Sequence, residues 1–122
     1  MKAVLVLCVC LVSTHCLADG NSLLSGCKST IAMFNGKLGN STTGVSEGLC
    51  LGTINGMRYM NELYSTRLKQ HETFFCVPSQ VTAGQLVRVV VKYLEENPSQ
   101  LHIHEGFLIS TALATSYPCK TH

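Results

Sequence analysis

This chain of 122 residues lacks the signatures of a catalytic or phosphate-binding site. No serine stands in a nucleophile elbow, no glycine-rich loop leads into a basic phosphate contact, and the seven carboxylates are few and scattered. An acid, a base and a nucleophile cannot be assembled from them, so an enzyme is not expected and no catalytic residue is assigned. Charge of one sign is missing too. The formal net charge is +2 with 13% charged residues, and a chain without a basic face is a poor partner for nucleic acid or anionic lipid. Internal repeats, low-complexity tracts and tryptophan are absent.

What is present begins with MKAVLVLCVCLVSTHCLA: a lysine, an apolar core from Ala3 to Val12 and a small residue at Ala18. It reads as a secretory signal peptide, residues 1–18, with cleavage expected before Asp19. The run is too short for a membrane span and has no stop-transfer flank. Cys8, Cys10 and Cys16 sit in no convincing lipoprotein site, so a soluble mature domain, residues 19–122, is expected, with no membrane insertion after cleavage. Lys2 leaves with the leader, so eight Lys/Arg remain against seven Asp/Glu. Four cysteines remain as well: Cys27, Cys50, Cys76 and Cys119. They lack C-x-x-C spacing and follow an export signal, which points to two disulfides rather than to metal or redox catalysis.

The stretch from Phe75 to Cys119 describes a helical hairpin. Thr82 and Gln85 have capping-box spacing, and Leu86, Val89, Val90, Tyr93 and Leu94 then follow on one helical face. Val87, Val89, Val91 and Tyr93 also alternate, leaving a strand as the alternative; the cap before and the stop after favour a helix. Asn97-Pro98 ends that helix and is expected to start the next, with Asn97 as N-cap and Gln100 completing a second capping box. The following helix is apolar over most of its circumference until Tyr117-Pro118, and is expected to be central.

Upstream, Asn21 or Ser22 can cap a first helix with Leu24, Cys27, Ile31 and Phe34 on one stripe. Phe34 to Gly44 is a polar, glycine-rich loop. Ser46 reads as the cap of a second helix carrying Cys50, Ile54, Met57, Met60 and Tyr64 inward. Gly48, Gly52 and Gly56 recur every four residues on a neighbouring face of that helix, and each costs about 1 kcal/mol against alanine. Close packing inside the monomer is the first explanation for them, a seam between two copies the second. The fold class is therefore all-α: four helices stapled by two disulfides. If the last two helices are antiparallel neighbours, Cys119 returns to Cys76 and Cys27 is left with Cys50, although a long loop could bring Cys27 to Cys76. His102 and His104 stand two residues apart on the expected helix and point away from each other, so no metal site is assigned there.

As an ordered set, the residues resemble a known family. Cys50-Leu51-Gly52-Thr53-Ile54-Asn55-Gly56, Phe75-Cys76-x-Pro78, Val81-Thr82-x-x-Gln85-Leu86, Val90-Val91-x-Tyr93-Leu94, Asn97-Pro98, Ala112-Leu113 and Tyr117-Pro118-Cys119 are similar to the Rap/Tai immunity family. Thr53, where an aromatic is usual, and Asn97, where histidine often precedes the proline, depart from it. The resemblance implies a periplasmic, disulfide-bonded helical protein, often a homodimer, that blocks the peptidoglycan amidase effector of a type VI secretion system. It implies no cofactor. Binding surfaces favour polar loops on a rigid frame, which nominates Lys37, Asn40, Ser41 and Thr42 together with Arg67, Lys69, Gln70, His71 and Glu72. The competing class is a periplasmic chaperone or stress-protection protein of similar build.

Overall fold

The computed structural model describes residues 18–37, 44–67 and 72–120, which form four α-helices and no strand beyond an isolated bridge between Asp19 and His104. Residues 1–17 of the expected leader lie outside the described residues.

The first helix, α1 (Gly20–Phe34), starts earlier than expected. Its cap is Asp19, whose carboxylate accepts the Ser22 amide at 2.9 Å, whereas the side chain of Asn21 donates to the Leu101 carbonyl at 3.2 Å. The buried stripe is correspondingly turned: Leu23, Cys27 and Thr30 are inside, Leu24 and Ile31 are half-buried, and Phe34 is exposed. Gly26 explains the turn. A Cβ there would come within 2.8 Å of the Ser46 carbonyl oxygen, so α1 meets the start of the second helix backbone to side chain-free backbone.

That second helix, α2 (Gly44–Ser65), contains Ser46 rather than being capped by it. Cys50 and Ile54 face the core as expected and Met57 is half-buried, but Met60 and Tyr64 are exposed. With 22 residues α2 outruns the 15-residue α1, and its last turns have no neighbouring helix long enough to cover them. The packing expected at Gly48, Gly52 and Gly56 is not found among the described residues: apart from the helix's own backbone and the adjoining residues, no described atom lies within 4 Å of a Cβ built at any of the three.

In α3 (Ala83–Glu96) the capping box is complete, with the Thr82 amide donating to Gln85 Oε1 at 2.7 Å and the Gln85 amide to Thr82 Oγ1 at 3.3 Å. Leu86, Val87, Val90, Val91 and Leu94 are buried, and the helix touches all three others. The strand alternative is thereby overturned. Asn97 does not cap a following helix. Its side chain turns back to the Tyr93 carbonyl at 2.8 Å, and Gln100 accepts the Tyr93 hydroxyl at 2.9 Å, so Pro98–Gln100 is a single 3-10 turn.

The last helix, α4 (Glu105–Ser116), begins later, capped by His104 Nδ1, which accepts the Gly106 amide at 3.1 Å. It is one-sided rather than central: Leu108, Ile109, Ala112 and Leu113 are buried while Phe107 is 72% exposed. It stops at Tyr117, as Tyr117-Pro118 requires.

Both disulfides follow the antiparallel expectation. Cys27 pairs with Cys50 and Cys76 with Cys119, at Cα separations of 5.3 and 4.9 Å, and the Cys27–Cys76 alternative does not form. Paired structural cysteines indicate an oxidising, extracytoplasmic compartment. No helix among the described residues is long and apolar enough to cross a membrane.

Candidate functional site

From Thr73 to Thr82 the chain leading into α3 forms no helix or strand, yet it is fastened at several points. Asn61 of α2 grips it with both ends of its amide: Nδ2 donates to the Phe75 carbonyl at 2.7 Å and Oδ1 accepts the Phe74 amide at 3.1 Å. The Cys76 amide donates to the Tyr117 carbonyl at 2.8 Å, beside the Cys76–Cys119 bridge, and Arg58 donates to the Val81 carbonyl at 2.8 Å. The chain bends at Thr73 and Phe74, and the two rings part there: Phe75 enters the core at 2% exposure while Phe74 is held outward at 74%.

Phe74 divides an open apolar surface into two hollows. One, of about 650 Å³, runs along α4 past Phe107, Ser110, Thr111 and Ala114 to the capping residue His104. The other, of about 340 Å³, lies against α2 and is lined by Gly52, Gly56, Met60 and Tyr64; Met57 and Ser110 belong to both. No Lys, Arg, Asp or Glu lines either hollow. A third hollow, of about 740 Å³, is polar, but its Arg58 and Asn61 are committed to fastening the segment. The one imidazole at its edge, His104, is engaged at Nδ1 by the Gly106 amide, and no cluster of His, Cys, Asp and Glu suited to a metal occurs among the described residues. What such a surface can do is bind another apolar surface.

Of the residues nominated from polar loops, three are described. Lys37 is exposed just beyond α1; Arg67, whose amide closes on the Tyr64 carbonyl at 2.9 Å, is exposed just beyond α2, and Glu72 is exposed as well. Asn40, Ser41, Thr42, Lys69, Gln70 and His71 lie outside the described residues. Along the chain the two loops stand at opposite ends of α2, whose 22 residues span about 33 Å. Arg67 to Thr73 does run directly into Phe74. The aromatic pair Phe74-Phe75 was the available signal for this surface, whereas Phe107 was hidden within a helix that reads as apolar all round.

No curated protein and no solved structure matches the chain. A family model does, however: the one for Rap1a immunity proteins, over residues 19–119. The match spans all four helices and both disulfides, and it agrees with a surface built for contact and lacking chemistry; the chain belongs to the Rap1a immunity protein family, and it is not an enzyme.

Proposed function

We propose that this protein protects the cell that makes it by binding and blocking a peptidoglycan amidase effector of a type VI secretion system in the periplasm. The leader, residues 1–18, exports it, and oxidation there closes both bridges. The observation that carries the reading is Phe74, an aromatic side chain fastened outward in the middle of an uncharged apolar surface on a protein whose family binds toxins. A preformed surface reduces the ordering cost of association. Its lack of charge disfavours the charged peptidoglycan substrate itself as the ligand. Arg67, Lys69, Gln70, His71 and Glu72 extend the contact beyond Phe74, and Lys37, Asn40, Ser41 and Thr42 serve at most a separate edge.

The test is calorimetric titration of oxidised Asp19–His122 with the amidase encoded beside it, together with growth rescue when both are exported. Tight binding is expected, and Phe74→Asp should weaken it by roughly thirtyfold or more, as for a central hot spot. Wild-type affinity in that variant refutes the surface; failure to bind any cell-wall amidase refutes the function. Suppression of client aggregation without a dedicated partner would instead favour the chaperone reading.

A further inference from the structure

The two bridges sit in different surroundings. Cys27 and Cys50 join α1 to α2 at 0 and 2% exposure, whereas Cys76 and Cys119 are half-buried. Cys76 also lines the polar hollow of about 740 Å³ between α2 and the chain leading into α3, and Cys119 does not. The hydroxyl of buried Thr73 lies 3.2 Å from Cys119 Sγ and 3.7 Å from Cys76 Sγ. A bridged sulfur carries no proton, so the hydroxyl is the donor, and its nearer acceptor is Cys119. Between Thr73 and Cys76 in the chain stands the outward Phe74. Cys119 lies past the end of α4, so no helix depends on this bond for its continuity.

We propose that the Cys76–Cys119 bridge is a thiol-exchange site, opened from the polar hollow by a dithiol reductant, and that its opening releases Phe74 from its fixed outward position. A thiolate of the reductant attacks Cys76 Sγ, the sulfur that lines the hollow. A mixed disulfide forms there, the Cys76–Cys119 bond breaks, and its electron pair leaves on Cys119 Sγ. The Thr73 hydroxyl donates to that new thiolate until solvent protonates it, and a better-stabilised leaving thiolate departs faster. The reductant's second thiolate then attacks its own sulfur in the mixed disulfide, and Cys76 departs as a thiolate that is protonated in turn. Two electrons pass from the dithiol, which ends as a disulfide, to the bridge, which ends as two thiols. The segment then keeps only hydrogen bonds: Asn61 to Phe74 and Phe75, Arg58 to Val81, and the Cys76 amide to the Tyr117 carbonyl. Cys27–Cys50 stays closed because its buried sulfurs admit no thiolate. Only for its consequence, loss of toxin binding on reduction, does this inference rest on the function proposed above.

Oxidised Asp19–His122 pulsed briefly with glutathione and quenched with iodoacetamide tests the direction of attack. Peptide mass should place the mixed disulfide on Cys76 and the alkyl group on Cys119; the reverse placement overturns it. Thr73→Val should slow opening by dithiothreitol roughly tenfold, and Thr73→Ser should restore the rate; a Thr73→Val rate equal to wild type overturns the role of the hydroxyl. Hydrogen exchange read by mass spectrometry after dithiothreitol tests the release. The Phe74 and Cys76 amides should exchange at least tenfold faster, with those of α1 and α2 unchanged. Unchanged exchange at Phe74 and Cys76 overturns the proposal, as does opening of Cys27–Cys50 at the same rate. Binding of the proposed amidase partner should fall at least tenfold on reduction and return on reoxidation, and equal binding to both forms overturns the link to Phe74. An amidase that ignores even the oxidised protein refutes the proposed function instead, and exchange at Phe74 then decides the switch by itself.

Discussion

Removal of the Cys76–Cys119 bridge isolates the contribution of chain closure from that of packing. The two cysteines are 43 residues apart, and in the loop-entropy description a closure of that length stabilises by about 4 kcal/mol at 25 °C. Both sulfurs are half-buried beside the Thr73 hydroxyl, at 3.2 Å from Cys119 Sγ and 3.7 Å from Cys76 Sγ. Serines at both positions therefore have a hydroxyl neighbour and leave little cavity. The double variant Cys76→Ser/Cys119→Ser should lose about 4 kcal/mol in urea unfolding, a large share of the roughly 5–15 kcal/mol typical of a domain. Its midpoint should fall by more than any single surface substitution achieves. Its m-value should rise, because the unfolded chain is no longer cross-linked. Binding of the proposed amidase partner should weaken as well, since Phe74 loses one of its fastenings. A loss below about 1 kcal/mol, with m unchanged, would refute the closure argument and leave the Asn61 grip and the Tyr117 contact as the true fasteners.

The two bridges should also differ in reactivity: Cys27 and Cys50 are 0 and 2% exposed, so limiting dithiol followed by maleimide should label Cys76 and Cys119 first, as mapped by peptide mass. Gly26→Ala should destabilise by about 1–2 kcal/mol in urea titration, because the new methyl meets the Ser46 carbonyl. Thr82→Ala should cost about 1 kcal/mol by removing the cap of α3. The Ser22 amide, and next the Asn21 side chain, hold the Asp19 carboxyl below the usual carboxylate range. A depressed folded-state pKa adds stability above the unfolded value, near 3.9, and that stability disappears as pH falls through the folded value. Asp19→Asn should therefore flatten the acid limb of the stability profile and leave the slope at neutral pH unchanged.

The parts of the fold legible in the sequence are those governed by residues next to each other. The Thr82/Gln85 box, the stop at Tyr117-Pro118 and the apolar face of α3 are local in origin, and the disulfide pairing follows once α3 and α4 are neighbours. The misplaced ends have a common cause: a polar side chain with two possible uses. Asn21 could cap α1 but bonds to Leu101, and Asn97 could cap a helix but bonds back to Tyr93. Periodicity does not register which use prevails. The inward residues of α2 were right as far as Met57 and wrong beyond it, because periodicity identifies a face and says nothing about whether a neighbour is long enough to cover it. Phe74 was overlooked for a related reason. Adjacent aromatics differ only in which one the Asn61 grip turns inward.

The three glycines were informative even though the close packing first expected of them is not found among the described residues. A close approach inside the monomer does exist, but at Gly26 against Ser46, on the other helix of the Cys27–Cys50 pair. Had α2 evolved for stability alone, alanine could stand at Gly48, Gly52 and Gly56 without meeting any described atom, and each replacement would favour the helix by about 1 kcal/mol. The large apolar side chains beside them would also gain by being polar. That helix instead keeps Val45, Leu49, Tyr59, Met60 and Leu63 exposed beside its glycines at the expense of its own stability, while the bridge at Cys50 ties it to α1. Closure over the 23 residues between Cys27 and Cys50 contributes about 3.5 kcal/mol, of the same order as the three glycines cost. A helix secured covalently on its inner side is free to present a weak-propensity, contact-ready surface on its outer one.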